Sequence, residues 1–189
     1  MYLHKIEIEG FKNLESLKLS FDPKINCITG LNGSGKTNLL DSIYFLSMTK
    51  SYFSVLDSNS INFNGLFSRI SGSFANIDNT IDTINVLIRR DSQKTISKNG
   101  KNYSKLSDHI GLYPIVMVSP FDTCLINNSS EERRKFMNYI LSQTDRGYLA
   151  SVQRYNSLLS QRNKVLKDKK LSLDASLLEI YEQKMSNIS

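Results

Sequence analysis

Apolar and polar residues alternate from Lys5 to Glu9, with Ile6 and Ile8 facing one way and Lys5, Glu7 and Glu9 the other. That is the period of a half-buried strand. Gly10-Phe11 breaks it, and Leu14, Leu17, Leu19 and Phe21 predict a second strand closed by the Asp22-Pro23 turn. Ile25-Asn26-Cys27-Ile28-Thr29 reads as a buried strand. Leu39, Leu40, Ile43, Tyr44 and Leu46 then recur at the spacing of an amphipathic helix beginning near Lys36. Residues 50–65, rich in Ser and Asn, predict irregular chain, and strands return at 67–75 and 81–90. Residues 94–106 hold two short strands around Asn99-Gly100, the dipeptide best suited to a tight hairpin turn. The run Ile115-Val116-Met117-Val118 predicts a buried strand ending at Ser119-Pro120.

Near residue 120 the period changes. Phe136, Tyr139, Ile140 and Leu141 predict a helix from about Glu131, with Ser129 or Ser130 as its cap. Leu149, Val152, Tyr155, Leu158, Leu159, Val165 and Leu166 predict a second helix; Leu173, Leu177, Leu178, Ile180, Tyr181 and Met185 begin a third. No internal repeat or low-complexity linker separates the halves. The expected organisation is a sheet-rich lobe over 1–118 and the beginning of a helical lobe over 119–189.

Between the strand at 25–29 and the first helix lies Gly30-Leu31-Asn32-Gly33-Ser34-Gly35-Lys36-Thr37, followed by Asn38. This is a complete phosphate-binding loop of the Walker A form, G-x-x-x-x-G-K-[ST]. Glycines at 30, 33 and 35 let the backbone close on a phosphate and turn its N–H groups inward. The positive end of the helix adds to the same spot. Lys36 can reach the β- and γ-phosphates, and the Thr37 hydroxyl can hold Mg²⁺. A Gly-rich turn with a chance lysine is the alternative, and the strand before and helix after argue against it. The expected cofactors are therefore ATP and Mg²⁺, held by Gly30, Asn32, Gly33, Ser34, Gly35, Lys36, Thr37 and Asn38.

Composition narrows the class further. With 40% hydrophobic and 22% charged residues, the chain can build a packed core. No apolar run is long enough to cross a bilayer, and the N-terminus is not a signal peptide. Cys27 and Cys124 lie amid apolar neighbours and are expected to be buried free thiols in a reducing cytosol. Neither they nor His4 and His109 have metal-ligand spacing. The net charge of +6 is carried by residues 131–170, with ten Lys/Arg against four Asp/Glu. Such a cluster is either a solvated helix surface or a nucleic-acid contact. A nucleotide-hydrolysing sheet also places a carboxylate at the end of a second apolar strand. Here the strand at 84–88 runs into Arg89-Arg90 and that at 115–118 into Ser119-Pro120. The chain is therefore expected to be the front part of a longer protein.

Ile8-Glu9-Gly10-Phe11-Lys12-Asn13-Leu14 ahead of G-x-N-G-x-G-K-T-N resembles the opening of ABC-type chromosome-maintenance ATPases, the SMC proteins and their DNA-repair relatives. Ser119-Pro120-Phe121-Asp122, Leu125-Ile126 and Glu132-Arg133-Arg134-Lys135-Phe136-Met137-Asn138 resemble the S-P-E-D-L-x-L-I…R-R-x-F-L-D stretch of the RecF family. Residues Arg154 to Asn163 resemble its Y-x-x-x-L-x-Q-R-N helix, and Lys50-Ser51 its K-S-H-R element. Phe121, Asn138 and Phe53 depart from the usual Glu, Asp and Arg, and no Gln lies between Gly111 and Ser130 to serve as a Q-loop. The resemblance implies an α/β P-loop NTPase of the ABC/SMC head type, truncated before its signature motif and its acidic Mg²⁺-binding strand. It implies an ATP-dependent homodimeric clamp with slow, DNA-linked hydrolysis, this part alone being inactive. It further implies gapped or junction DNA, RecO- and RecR-type partners in recombinase loading, a role in DNA replication, damage repair and the SOS response, and a cytoplasmic, nucleoid-associated location. Arg133, Arg134, Arg162 and Lys164 are the candidate DNA contacts, because guanidinium and ammonium groups suit phosphate oxygens. Two other readings stand beside it. Another SMC-like head would continue past residue 150 as sustained heptads, which Asn156, Asn163 and Lys169-Lys170 interrupt. A P-loop small-molecule kinase would need a lid arginine and an acceptor pocket. A GTPase would need N-K-x-D, and Asn163-Lys164-Val165-Leu166 lacks the Asp.

Overall fold

A computed structural model describes residues 1–123, 130–167 and 175–188. The chain divides into two compact units, Met1–Val118 and Ser119–Ser189.

The first unit is built on six strands: β1 (Tyr2–Phe11), β2 (Leu14–Ser20), β3 (Phe67–Ala75), β4 (Ile81–Arg89), β5 (Ser92–Lys98) and β6 (Lys101–Asn102). Their order across the sheet is β2-β1-β3-β4-β5-β6, and every pairing is antiparallel. Period-two alternation puts Ile6, Ile8, Ile70, Phe74, Ile84, Val86, Ile88 and Ile96 into one continuous core. Glu7, Glu9, Arg69 and Asn85 stand on the other face. Helix α1 (Lys36–Met48) covers the core face, burying Leu39, Phe45 and Leu46. It approaches β3 so closely that a Cβ on Gly72 would stand 2.5 Å from Leu46 Cδ1. Any larger residue at 72 would force the Leu46 side chain to move.

The hairpin expected at Asn99-Gly100 is present between β5 and β6. Asn99 and Gly100 both have positive φ, 50° and 81°, as a type I′ turn requires. Asp82 gathers this end of the sheet, accepting from Lys98 at 2.8 Å, Asn99 at 2.9 Å and the Tyr113 hydroxyl at 2.9 Å. Lys98 foremost holds its carboxyl far below the usual range, while burial, aided by Asp82, pushes Tyr113 up. His109 is fully buried between Tyr103 and Tyr113, and its Nε2–H donates to the Leu46 carbonyl at 2.7 Å. Burial pushes its pKa down, so a neutral imidazole pins the end of α1.

Two expected strands do not form. Residues 25–29 and 115–118 have no ladder partner among the described residues. Ile25 is 86% exposed, and Val116 and Val118 are 78% and 80% exposed. Both segments are apolar, but a strand needs a neighbour to pair with, and none of the six strands pairs with either of them. Cys27 follows its segment and is an exposed free thiol, not a buried one.

The second unit contains α2 (Ser130–Thr144), α3 (Arg146–Lys167) and α4 (Ala175–Ser186). α3 packs against both of the others. Glu131 and Glu132 occupy the first turn of α2, where the helix dipole favours them, and both pair with Lys135 at 3.0 Å. Asp145 caps α3 by accepting from the Gly147 and Tyr148 N–H groups at 2.7 and 3.1 Å. The Tyr148 hydroxyl bonds Asn138 across the bend. No side chain of α2 or α3 is fully buried. The expected Ser129 cap, Leu125-Ile126, the Cys124 thiol, Lys169-Lys170 and Leu173 lie outside the described residues.

Candidate nucleotide site

The residues at 30–38 form a loop that opens directly into α1. Gly35 takes the position before the helix with φ 96°, and the first helical bond runs from the Leu39 N–H to the Gly35 carbonyl at 2.8 Å. Positive φ suits glycine, and space demands it: a Cβ there would lie 2.6 Å from Leu14 Cδ2 and 2.9 Å from Asn13 Oδ1. The first N–H groups of α1 have no partner within the helix. No acidic side chain occupies that first turn to neutralise them. The Lys36 ammonium donates to the Gly30 and Leu31 carbonyls, both at 2.8 Å. An ammonium has three donors, which leaves one for a phosphate oxygen. Asn32, Ser34 and Thr37 are exposed at the rim. The Thr37 hydroxyl is an oxygen donor of the kind Mg²⁺ takes beside phosphates.

The turn between β1 and β2 braces this loop from behind. Asn13 Nδ2 donates to the Gly33 carbonyl at 2.9 Å, and Asn38 Nδ2 donates to Asn13 Oδ1 at 2.7 Å. One side chain thus ties the middle of the loop to the first turn of α1. Its neighbour Lys12, at φ 50°, points the other way and meets fully buried Asp41 on α1 at 2.5 Å. Asp41 also accepts from the Ser51 hydroxyl and the Tyr52 N–H, both at 2.7 Å. Ser51 Oγ in turn accepts from the Phe53 and Ser54 N–H groups at 3.2 and 3.1 Å. Loop, helix, turn and the segment after the helix are one hydrogen-bonded assembly. Asn13→Ala is expected to weaken ATP binding roughly fivefold, the effect of about 1 kcal/mol of exposed hydrogen bonding. The melting temperature should hardly change; isothermal titration and a thermal melt on the same sample check both.

The expected DNA contacts are distributed differently. Arg133 and Arg134 are exposed on α2, and the charge of Arg134 bears on Glu131. On α3, Arg162 and Lys164 are two positions apart and so diverge around the helix. Lys164 is exposed. Arg162 is turned inward, its side chain 28% exposed, and pairs with Glu182 of α4 at 2.9 Å. A depression of about 390 Å³ lies on the polar face of the sheet, between Glu9, Arg69, Asn85 and Arg89, away from the phosphate loop. Among the described residues no group of His, Cys, Asp and Glu could hold a metal, and no helix is long and apolar enough to cross a membrane.

The family model described as the RecF/RecN/SMC N-terminal domain matches residues 2–113, more than half of the chain. The chain belongs to this family. The DNA replication and repair protein RecF of Bacteroides fragilis is 45% identical over 186 residues, 98% of this chain and 50% of that protein. RecF of Flavobacterium johnsoniae is 40% identical over 188 residues, 98% and 52% of the two chains. A solved structure of the recombination mediator protein RecF-ATP in the RecFOR pathway superposes with a TM-score of 0.90 at 31% identity, covering 99% of this chain and 50% of its own. An Smc head domain from Pyrococcus furiosus, with a TM-score of 0.59 at 20% identity over 99% of this chain and 55% of its own, shares the fold. The fold is that of a P-loop ATPase head of the ABC/SMC type, and the RecF likeness extends over both units. The chain spans about half the length of the curated RecF proteins it matches.

Within this RecF-type head, sequence reading missed Asn13, Lys12, Asp41 and Ser51. Lys12-Asn13 and Lys50-Ser51 served only as marks of family resemblance; the structure gives Lys12, Asn13 and Ser51 a physical task. Asp41 carried a signal of its own, a lone carboxylate on the otherwise apolar side of a helix. Phe53, where the RecF family has Arg, lies near the Lys12 ammonium, 5.6 Å from its ring centre.

Proposed function

We propose that this chain carries the ATP-binding part of a RecF-type DNA replication and repair ATPase. The observation that carries the reading is the braced phosphate loop, in which glycine geometry, the α1 N-terminus and Lys36 converge on one point. Backbone N–H groups of 30–38 would cradle the phosphates, Lys36 would neutralise the β/γ oxygens, and Thr37 would hold Mg²⁺. The 0.90 TM-score to a RecF-ATP structure supports the same ligand.

In the whole protein, ATP acts as a clamp between two heads on gapped or junction DNA, with RecO- and RecR-type partners and slow hydrolysis for release. Such a protein works in the nucleoid, in DNA damage repair and the SOS response. Exposed Arg134 and Lys164 are the candidates for DNA phosphates, Arg133 stands exposed beside Arg134, and Arg162 is held by Glu182. Neither apolar segment that could precede a carboxylate does so: one ends at Arg89-Arg90 and the other at Ser119-Pro120.

The chain, with half of a composite site, is therefore expected to bind ATP only weakly, to show no turnover above background, and to stay the same size when ATP is added. Titration calorimetry, phosphate release and light scattering on one preparation test this. No ATP binding would remove the nucleotide reading. Turnover abolished by Thr37→Ala would show that the hydrolytic site is complete within these residues.

A further inference from the structure

α3 runs for 22 residues with five cations, Arg146, Arg154, Arg162, Lys164 and Lys167, and not one carboxylate. The structure sorts them. Tyr148, Val152, Tyr155, Leu159 and Arg162 are half-buried on the side where α2 and α4 pack. At 100° per residue the exposed Arg146, Arg154, Lys164 and Lys167 fall on the opposite side, with Ser157 and Gln161 between them. Ion pairs in this unit include Lys135 with Glu131 and Glu132, and Arg162 with Glu182. Among the described residues no ion pair involves Arg146, Arg154, Lys164 or Lys167.

We propose that this outer face of α3 is a docking surface for the phosphodiester backbone of duplex DNA, with Arg146, Arg154, Lys164 and Lys167 as its phosphate contacts. The inference rests on the DNA-binding reading above and assigns the surface that serves it. A helix face that is merely solvated interleaves both signs, because like charges three or four apart repel; among the described residues no carboxylate pairs with Lys164 or Lys167 to offset that repulsion. A polyanion removes it. From Arg146 to Arg154 the axial rise is about 12 Å and from Arg154 to Lys164 about 15 Å, close to the width of a major groove of about 12 Å. The face can therefore meet phosphates on both borders of a groove. Ser and Gln between the cations add neutral donors without sequence preference. A membrane surface fits less well: Tyr148, Val152, Tyr155 and Leu159 are half-buried on the side where α2 and α4 pack, and between the cations the outer face presents Ala150, Gln153, Ser157, Ser160 and Gln161.

The test is fluorescence anisotropy of the full chain with a short labelled duplex, from about 50 to 200 mM salt, in parallel with phosphatidylserine vesicles. Each phosphate contact contributes about −0.9 to the slope of log K against log salt. Arg154→Gln with Lys164→Gln is expected to flatten the slope by about 1.8 and to weaken binding about 100-fold at 50 mM salt. Arg146→Gln with Lys167→Gln removes two charges elsewhere on the face and should flatten it equally, so the readout does not hang on one variant's folding. Arg162→Gln, and Lys24→Gln with Lys101→Gln, should leave the slope unchanged. If the parent chain binds duplex and both face variants keep its slope, the face is overturned while the DNA reading stands. Equal flattening by the Lys24/Lys101 pair, or vesicle binding as strong as duplex binding, also overturns it. A parent chain that does not bind duplex even at the lowest salt overturns the face and the DNA reading together.

Discussion

Replacing Asp41 by alanine is expected to destabilise the N-terminal unit by about 3–5 kcal/mol, the cost of breaking a buried ion pair by removing one member. Asp41 is fully buried and accepts three hydrogen bonds, from Lys12, Ser51 and the Tyr52 N–H. Without it the Lys12 ammonium, whose side chain is 16% exposed, loses its counter-charge. The Tyr52 N–H and the Ser51 hydroxyl lose their acceptor as well. With a urea m-value of about 1–3 kcal/mol/M, the midpoint of unfolding should fall by 1 M or more. Removing both charges at once, Lys12→Met with Asp41→Leu, should recover part of the loss, because no unpaired ammonium is left; the Tyr52 N–H and Ser51 hydroxyl still lack their acceptor. A single variant that unfolds at the parent's urea concentration would show that the packing of α1 on the sheet suffices without this pair.

Lys36→Ala is expected to weaken ATP binding by roughly 10- to 150-fold, the equivalent of about 1.5–3 kcal/mol for a hydrogen bond to a charged group. Among the described residues its ammonium bonds only the Gly30 and Leu31 carbonyls, both at the protein surface, so the fold should be preserved. Titration calorimetry of the variant beside the parent, with urea melts of both, separates lost affinity from lost structure. Unchanged affinity would detach this loop from nucleotide binding. A drop in affinity accompanied by an equal drop in stability would assign Lys36 to holding the loop together. On the clamp reading proposed above, the same change in the whole protein should also abolish ATP-dependent dimerisation.

The two parts of the molecule were legible in the sequence to different degrees, and for physical reasons. β1 alternates from Lys5 to Glu9 because one face of the sheet meets α1, so there the period marks both the strand and its buried side. In β3 the buried positions include Ser68 and Gly72, and in β4 Val86, Leu87 and Ile88 run together, so those residues mark a strand without marking its face. The phosphate loop was legible because its backbone requirements leave few residue choices. Residues 25–29 and 115–118 were misread because apolar content reports a preference for burial without saying whether a neighbouring strand exists. Asn13 and Asp41 escaped for another reason. Their partners lie 20 and 29 positions away along the chain, a distance over which spacing carries no information. Arg162 illustrates the same limit. Its charge was visible, but not that Glu182 would claim it.

The order of the strands has a consequence for how the chain folds. β3, β4, β5 and β6 follow one another in sequence and in space, and β1 with β2 forms a hairpin of its own. Both are low-contact-order pieces that close short loops and form early. Joining them requires β1 to pair with β3, Glu9 opposite Arg69. That step closes a long loop, and its entropic cost falls before any contact rewards it. The phosphate loop and α1 lie inside that loop. Their braces, Asn13 and Lys12, sit on one side of the joint, and Gly72, against which α1 settles, sits on the other. The nucleotide site is therefore assembled in the slowest event of folding. A ligand that binds only the finished loop acts after the transition state, slowing unfolding without hastening folding.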